Sequence, residues 1–312
     1  MSWRRALLAL GSTLAAAALC LACNNAAGQT LQRGDRLLAV GDTEAAIAEY
    51  KLALRQHGES PDVLLRLGNA YAASGDVEAA RRYYDPVLAA DSAYRYQVAA
   101  GLLMAARVSL AGNSRENALR ALQPLLDWSM GLIPEDLRLP MARRYWSDGD
   151  YATALALYLS VLPADPSAEP DSLVSPADLY ETGRAYEELG GCSESLDYFE
   201  AYLAGSRHRD PRVQGAQWHL GNCLFAVAED ERSSGRPRTA LEHLNRMVEL
   251  GVPQTLLDRA QFLRGELLLA LGQPDSALAA YREVLRLNPA RTGPMVEQAQ
   301  RRIRELRSGY QP

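Results

Sequence analysis

The chain of 312 residues has few aromatic residues and almost no lysine. Aromatic residues make up 7% of the sequence, and Lys51 is the single lysine among 33 basic residues. Ala, Leu and Arg are abundant, a composition that favours helices over sheets. The formal net charge is −5 and no basic run occurs. This argues against nucleic-acid binding, because neutralising phosphates needs clustered Lys or Arg.

The sequence also lacks the motifs that mark catalytic and metal sites. Nucleophile-elbow, phosphate-binding and dinucleotide-binding fingerprints are absent. The histidines have none of the close helical pairing of a zinc motif, and they are His57, His208, His219 and His243. The sequence therefore predicts no catalytic residue, no metal site and no cofactor.

The N-terminus has the pattern of an export signal over residues 1–22. Arg4 and Arg5 precede an uncharged apolar stretch from Ala6 to Leu21. Ala22-Cys23 resembles the lipobox of bacterial lipoproteins, in which the cysteine is lipidated, although Cys20 stands where Leu is usual. Ordinary secretory cleavage and a retained membrane anchor are the alternatives. All three readings take the rest of the chain, with 31 basic and 38 acidic residues and a net charge of −7, across a membrane.

The lipobox resemblance also implies a location. Asn24 follows Cys23, where some bacteria use Asp to retain lipoproteins at the inner membrane. We therefore expect a periplasm-facing protein, lipid-anchored at the outer membrane through Cys23. Cys192 and Cys223 remain in the exported part. An oxidising periplasm permits a disulfide between them, and the alternative is that they are two unrelated small helix residues.

An internal repeat dominates the rest of the chain. Residues 61–92 align with residues 27–58 at an offset of 34, which pairs Gly34 with Gly68, Gly41-Asp42 with Gly75-Asp76, Ala46 with Ala80 and Tyr50 with Tyr84. Further copies contain Ala154-x3-Tyr158, Ser195-x3-Phe199 and Ala277-x3-Tyr281. Two irregular units, around Gly101–Leu126 and Trp218–Val248, are expected to have an extended first helix. The period and the pattern resemble the tetratricopeptide repeat family.

The resemblance implies an all-α, right-handed superhelical solenoid of about seven helix–turn–helix repeats with a C-terminal capping helix. Gly41, Gly75 and Gly149 are expected to end helices in the left-handed conformation, and the Asp after each to cap the next helix. The predicted organisation is a signal peptide (1–22), a linker (23–28), repeats 1–4 (29–163), a Pro- and Ser-rich hinge (164–175), repeats 5–7 (176–290), and a capping helix and tail (291–312).

The resemblance also implies a concave groove lined by the first helix of each repeat. Positions one residue after and three residues before the signature glycine should face a partner there. The predicted partner-binding residues are Asn69, Arg143, Tyr180, Arg184, Trp218, Asn222, Phe262 and Glu266. The rings of Tyr180, Trp218 and Phe262 would form an aromatic strip; the alternative is that they pack between helices. The pattern lacks the Lys-then-Asn pairing with which chaperone-binding members clamp a C-terminal carboxylate.

These features predict a non-catalytic protein–protein interaction scaffold of the bacterial cell envelope that binds a protein or peptide partner and no nucleic acid. A solute- or glycan-binding envelope lipoprotein is the alternative, since aromatic rings also stack on sugars. An enzyme domain hidden in the irregular repeats would need a compact insertion between residues 90 and 135.

Overall fold

A computed structural model describes residues 28–168, 174–206, 210–290 and 292–309. Over these ranges the chain forms fifteen α-helices and no β-strand. The predicted signal peptide, Cys23 and the linker up to residue 27 lie outside the described residues. None of the described helices is long and apolar enough to span a membrane.

The helices form seven antiparallel pairs followed by a single helix, as the repeat pattern predicts. The chain divides into two compact units, residues 1–134 and 135–312. The described part of unit 1 contains α1 (28–39), α2 (Thr43–His57), α3 (Pro61–Ser74), α4 (Val77–Ala90), α5 (Arg95–Ala111) and α6 (Arg115–Trp128).

Unit 2 contains the other four pairs and the terminal helix. Its elements are α7 (Glu135–Ser147), α8 (Tyr151–Leu159), α9 (Pro176–Glu188), α10 (Cys192–Gly205), α11 (Arg212–Ser233), α12 (Pro237–Leu250), α13 (Leu257–Ala270), α14 (Pro274–Leu287) and α15 (Pro294–Gly309). The two irregular repeats have the expected longer first helices. The α5 helix has 17 residues and α11 has 22, against 14 in α3 and 13 in α9.

The turn inside the first, second and fourth repeats follows the predicted chemistry. Gly75 ends α3 with φ +82°, and its backbone N–H donates to carbonyls of the last turn. The side chain of Asp76 then accepts a hydrogen bond of 2.9 Å from the backbone N–H of Ala79 at the start of α4. Gly41-Asp42 and Gly149-Asp150 repeat this arrangement. A helix stop and a helix start are thus encoded in two adjacent residues.

In four repeats a glycine of the first helix packs against an aromatic ring of the second. The ring of Tyr84 lies so close to Gly68 that a Cβ there would overlap it, and a Cβ at Gly265 would come 2.5 Å from the ring of Tyr281. The rings at this position are almost completely buried, and they are Tyr50, Tyr84, Tyr158, Phe199 and Tyr281. The signature glycine therefore sets how closely the two helices of a repeat approach.

The predicted hinge, residues 164–175, lies within unit 2, and residues 169–173 of it lie outside the described residues. Helices on its two sides are in contact: the Tyr158 hydroxyl of α8 donates a hydrogen bond to Glu181 of α9. Bending at this segment stays a prediction.

Candidate functional site

In three repeats, the side chain of the residue after the signature glycine accepts a hydrogen bond from a tyrosine hydroxyl of the same repeat. The Tyr84 hydroxyl donates to Asn69 at 2.7 Å, and the Tyr281 hydroxyl donates to Glu266 at 2.5 Å. Tyr50 and Asp35 make the same contact at 2.7 Å. The side chains of Asn69 and Glu266, two predicted partner-binding residues, therefore satisfy buried tyrosine hydroxyls. Burial, followed by the hydrogen bond to Glu266, raises the pKa of Tyr281.

Glu266 is further engaged by the terminal helix. Arg302 of α15 donates from Nε and Nη2 to its two carboxylate oxygens at 2.8 and 2.7 Å. Asp35 receives an equivalent hydrogen bond of 3.0 Å from Arg66 of the following repeat. An acid in one first helix thus pairs with an arginine of the next, which couples neighbouring repeats.

Arg143 forms a two-pronged ion pair with Asp178. Its Nε and Nη2 atoms lie 2.7 Å from the two carboxylate oxygens, and the Asp178 side chain is 1% exposed. Ser175 also donates to Asp178 from its backbone N–H and hydroxyl, closing a capping box at the start of α9. Burial acts to raise the pKa of Asp178, but the hydrogen bonds from Arg143 and Ser175 outweigh it and lower the pKa.

Arg184 lies at a junction of charged groups. Its Nη2 is 2.6 Å from Glu188, its Nε is 3.1 Å from Glu187, and its guanidinium lies 5.8 Å from the ring centre of Trp146 on α7. Glu187 in turn lies 2.7 Å from Nδ1 of His219 on α11. Three consecutive first helices of unit 2 therefore meet around this arginine. The ion pairs with Glu187 and Glu188 have the helical spacings i+3 and i+4 and could be predicted from the sequence. The contacts that bring in Trp146 and His219 join different helices and could not.

The predicted aromatic strip separates into packed and exposed members. Tyr180 is half-buried against Phe199 and Tyr202, with ring centres 6.1 and 5.5 Å away. Phe262 is half-buried against Tyr281 at 5.6 Å. Trp218 has 48% of its surface exposed and stands edge-on to the ring of His219, 5.0 Å away. His219 itself stacks on Phe199 at 5.8 Å, so Trp218 rests on a packed aromatic layer.

The position of Asn222 is fixed by a covalent link one residue away. Asn222 lies on α11 one helical turn after Trp218, and it is half-buried. Cys223, which is fully buried, is joined by a disulfide to Cys192 at the start of α10, with a Cα–Cα distance of 4.9 Å. The disulfide reading of these cysteines is therefore the one found in the structure. Asn69 lies in unit 1, and the other seven predicted groove residues lie in unit 2.

The described residues contain no group of three or more His, Cys, Asp or Glu side chains placed to hold a metal ion. Burial raises the pKa of Glu181, while the hydrogen bond from Tyr158 opposes the shift. The hydrogen-bond partner of Glu181 is thus the hydroxyl of Tyr158, a fully buried residue of the helix packing.

Seven antiparallel helix pairs, four of which pack a glycine of the first helix on an aromatic ring of the second, define an α-helical repeat protein. Two family models for the tetratricopeptide repeat match the chain, at residues 37–102 and at residues 258–291. The chain therefore contains tetratricopeptide repeats in these two segments, and proteins with such repeats generally mediate protein–protein interaction. A comparison with curated protein sequences finds no match.

Solved structures with low sequence identity also align. The C-terminal part of a tetratricopeptide repeat-containing protein from Cytophaga hutchinsonii is 15% identical, with TM-score 0.35 and coverage of 86% of this chain and 98% of that chain. A tetratricopeptide repeat protein from Parabacteroides merdae is 15% identical, with TM-score 0.35 and coverage of 90% and 98%. The pilF structure from Pseudomonas aeruginosa is 16% identical, with TM-score 0.28 and coverage of 92% and 99%.

Proposed function

We propose that this chain is a non-catalytic scaffold of the bacterial cell envelope that binds a peptide or protein partner on the first helices of unit 2. The family supports a role in protein interaction. The N-terminal pattern supports export and lipid anchoring through Cys23. The observation that carries the proposed binding site is the exposure of Trp218.

Trp218 has the properties of an anchor for a partner. A half-exposed indole is costly to leave in water, and a partner that covers it gains apolar contact at little entropic cost, because the ring has only two rotatable bonds. The layer beneath it is already ordered, since His219 stacks on Phe199 and Tyr180 packs against Tyr202. The site is therefore preorganised.

Polar groups one turn along the same helices would orient the partner. Asn222 follows Trp218, and Arg184 follows Tyr180, each at i+4 and so on the same helix face. Arg184 keeps Glu187 and Glu188 as partners, which places two carboxylates beside it. Asn222 is therefore proposed to hydrogen-bond the backbone of the partner. Arg184 would add the guanidinium N–H groups that its two ion pairs leave free.

The disulfide supports the proposed compartment. Disulfides persist in oxidising environments such as the bacterial periplasm and are rare in the cytosol. The Cys192–Cys223 disulfide has the environment of a structural bridge and not of an exposed, redox-active one, because Cys223 is fully buried. Mass measurement of the mature protein tests the anchor: a diacylglycerol-modified Cys23 as first residue is expected, and an unmodified residue there contradicts it.

Site-specific photocrosslinking tests the binding site. A photoreactive amino acid at position 218 should crosslink one partner in intact cells, and the same group at Leu189, which is 51% exposed in the same unit, should not. The identified partner, once purified, should bind the Trp218→Ala variant at least about tenfold more weakly, while Leu189→Ala binds normally. Equal crosslinking at both positions, or unchanged binding by Trp218→Ala, would refute the site.

A thermal-shift screen distinguishes the glycan-binding alternative. Sugars that stack on Trp218 would raise the melting temperature of the wild-type protein and leave Trp218→Ala unaffected. We expect no such ligand if the occupant is a protein or peptide.

A further inference from the structure

Unit 1 contains a cavity of about 430 Å³ whose lining is cationic and aromatic. It is bordered by α2, α3 and α4, and its polar lining comes from Lys51, Tyr71, Arg82 and Tyr83. The rings of Tyr71 and Tyr83 are stacked, 5.5 Å between centres and 10° from parallel. The Lys51 ammonium lies 5.4 Å from the ring centre of Tyr71.

The two cations of this cavity have no carboxylate partner among the residues that the structure describes. Neither Lys51 nor Arg82 lies within 4.0 Å of an acid there, whereas Arg33, Arg66, Arg120 and Arg143 each pair with one. Glu78 precedes Arg82 by one turn without forming an ion pair, and Arg55 follows Lys51 by one turn and adds positive charge. Interaction with the Tyr71 hydroxyl raises the pKa of Lys51, so the ammonium stays charged. The cavity is therefore an unneutralised positive region.

The aromatic wall is held in place by the core. Tyr71 and Tyr83 are both partly buried and pack against the cluster that contains Tyr50 and Leu67. Lys51 and Arg82 are exposed beside this packed wall. An aromatic surface flanked by two exposed cations suits an anion that carries a small organic group.

We propose that this cavity binds a phosphoryl-type oxyanion. The Lys51 ammonium and the Arg82 guanidinium would pair with its oxygens, the one as a point charge and the other as a planar fork. The volume exceeds that of the anion alone and falls in the range of small-molecule sites. The remainder of the ligand would lie against the tyrosine pair. The ligand is either a free phosphorylated solute or the phosphate of a lipid headgroup, and the proposal is independent of the proposed partner site on unit 2.

Isothermal titration of the full-length protein in a neutral detergent tests the proposal. The probes are inorganic phosphate and dihexanoyl-phosphatidylglycerol, with zwitterionic dihexanoyl-phosphatidylcholine as the lipid control. We expect binding that weakens with added salt and falls about tenfold or more in Lys51→Gln/Arg82→Gln. Arg36→Gln removes an exposed charge from the same unit outside the cavity and should bind like wild type. Tyr71→Phe keeps the ring and reports the contribution of the hydroxyl.

Binding of phosphate that depends on Lys51 and Arg82 assigns the site to a free phosphorylated solute. Binding of phosphatidylglycerol alone, with the same dependence, assigns it to a headgroup. Both results support the proposal. No heat with either probe, or equal weakening by Arg36→Gln, overturns it, provided far-UV circular dichroism shows that the variants are folded.

Discussion

Loss of the Cys192–Cys223 disulfide should weaken unit 2 by a calculable amount. The bridge closes a loop with a sequence separation of 31 residues. In the chain-entropy account, a loop of that length restricts the unfolded state enough to contribute about 3.7 kcal/mol at 25 °C. A typical domain has only about 5–15 kcal/mol of stability, so reduction should remove a large part of it.

The effect should be local, because each repeat contacts only its neighbours. Removing the bridge releases the α10–α11 connection first, and with it the helix that carries Trp218 and Asn222. Hydrogen exchange should therefore accelerate in α10 and α11 well before it does in the helices of unit 1.

Urea unfolding followed by circular dichroism, with and without a phosphine reductant, measures the change. The Cys192→Ala/Cys223→Ala variant is the control: it should match the reduced wild type and not respond to the reductant. A stability difference below about 1 kcal/mol would refute the entropic reasoning. So would exchange that accelerates equally throughout the chain.

Two further predictions concern packing and pH. Gly68→Ala forces a Cβ into the ring of Tyr84 and should cost about 1–3 kcal/mol of unfolding free energy, whereas Gly205→Ala, with nothing within 4 Å, should be near neutral in the same urea assay. Asp178 has a lowered pKa in the folded protein, so its stabilisation is complete above the unfolded value of about 3.9 and is lost as pH falls through the folded value. Asp178→Asn removes the carboxylate partner of Arg143, which is itself half-exposed, so the variant should lose about 2 kcal/mol of unfolding free energy at neutral pH. The loss should become smaller as the pH falls towards about 2, because the wild-type carboxyl is then protonated as well. A constant difference across that range would contradict the assignment.

Most of the fold could be predicted from the sequence, because its determinants are local. Gly75-Asp76 specifies a helix end and a helix start within two residues, and both act through backbone groups a few positions away. The 34-residue offset between Tyr50 and Tyr84 identifies equivalent positions without any knowledge of tertiary contacts. The extended α11 was likewise visible as an enlarged spacing between Leu220-Gly221 and Ala240.

The candidate site was less predictable. Family resemblance selects positions on the first helices, but it does not show what each side chain contacts. Asn69 and Glu266 face tyrosine hydroxyls of their own repeats, and Arg143 faces Asp178. The sequence contained one usable signal: a tyrosine at the buried aromatic position needs an acceptor, whereas Phe199 in the fifth repeat needs none. There the position after the glycine is Arg184.

The sequence by itself determined the repeat, its turns and its buried aromatic positions, since these depend on contacts within one helix pair. The tertiary structure decided which polar and aromatic residues remain available. Asp35–Arg66, Arg143–Asp178 and Glu266–Arg302 join residues 31, 35 and 36 positions apart, and the disulfide joins two that are 31 apart. These pairings depend on the angle at which adjacent repeats stack, and the 34-residue sequence period does not specify that angle. For the same reason only the packed structure shows that Trp218 stays exposed on an ordered layer while Tyr180 and Phe262 are half-buried beside core rings.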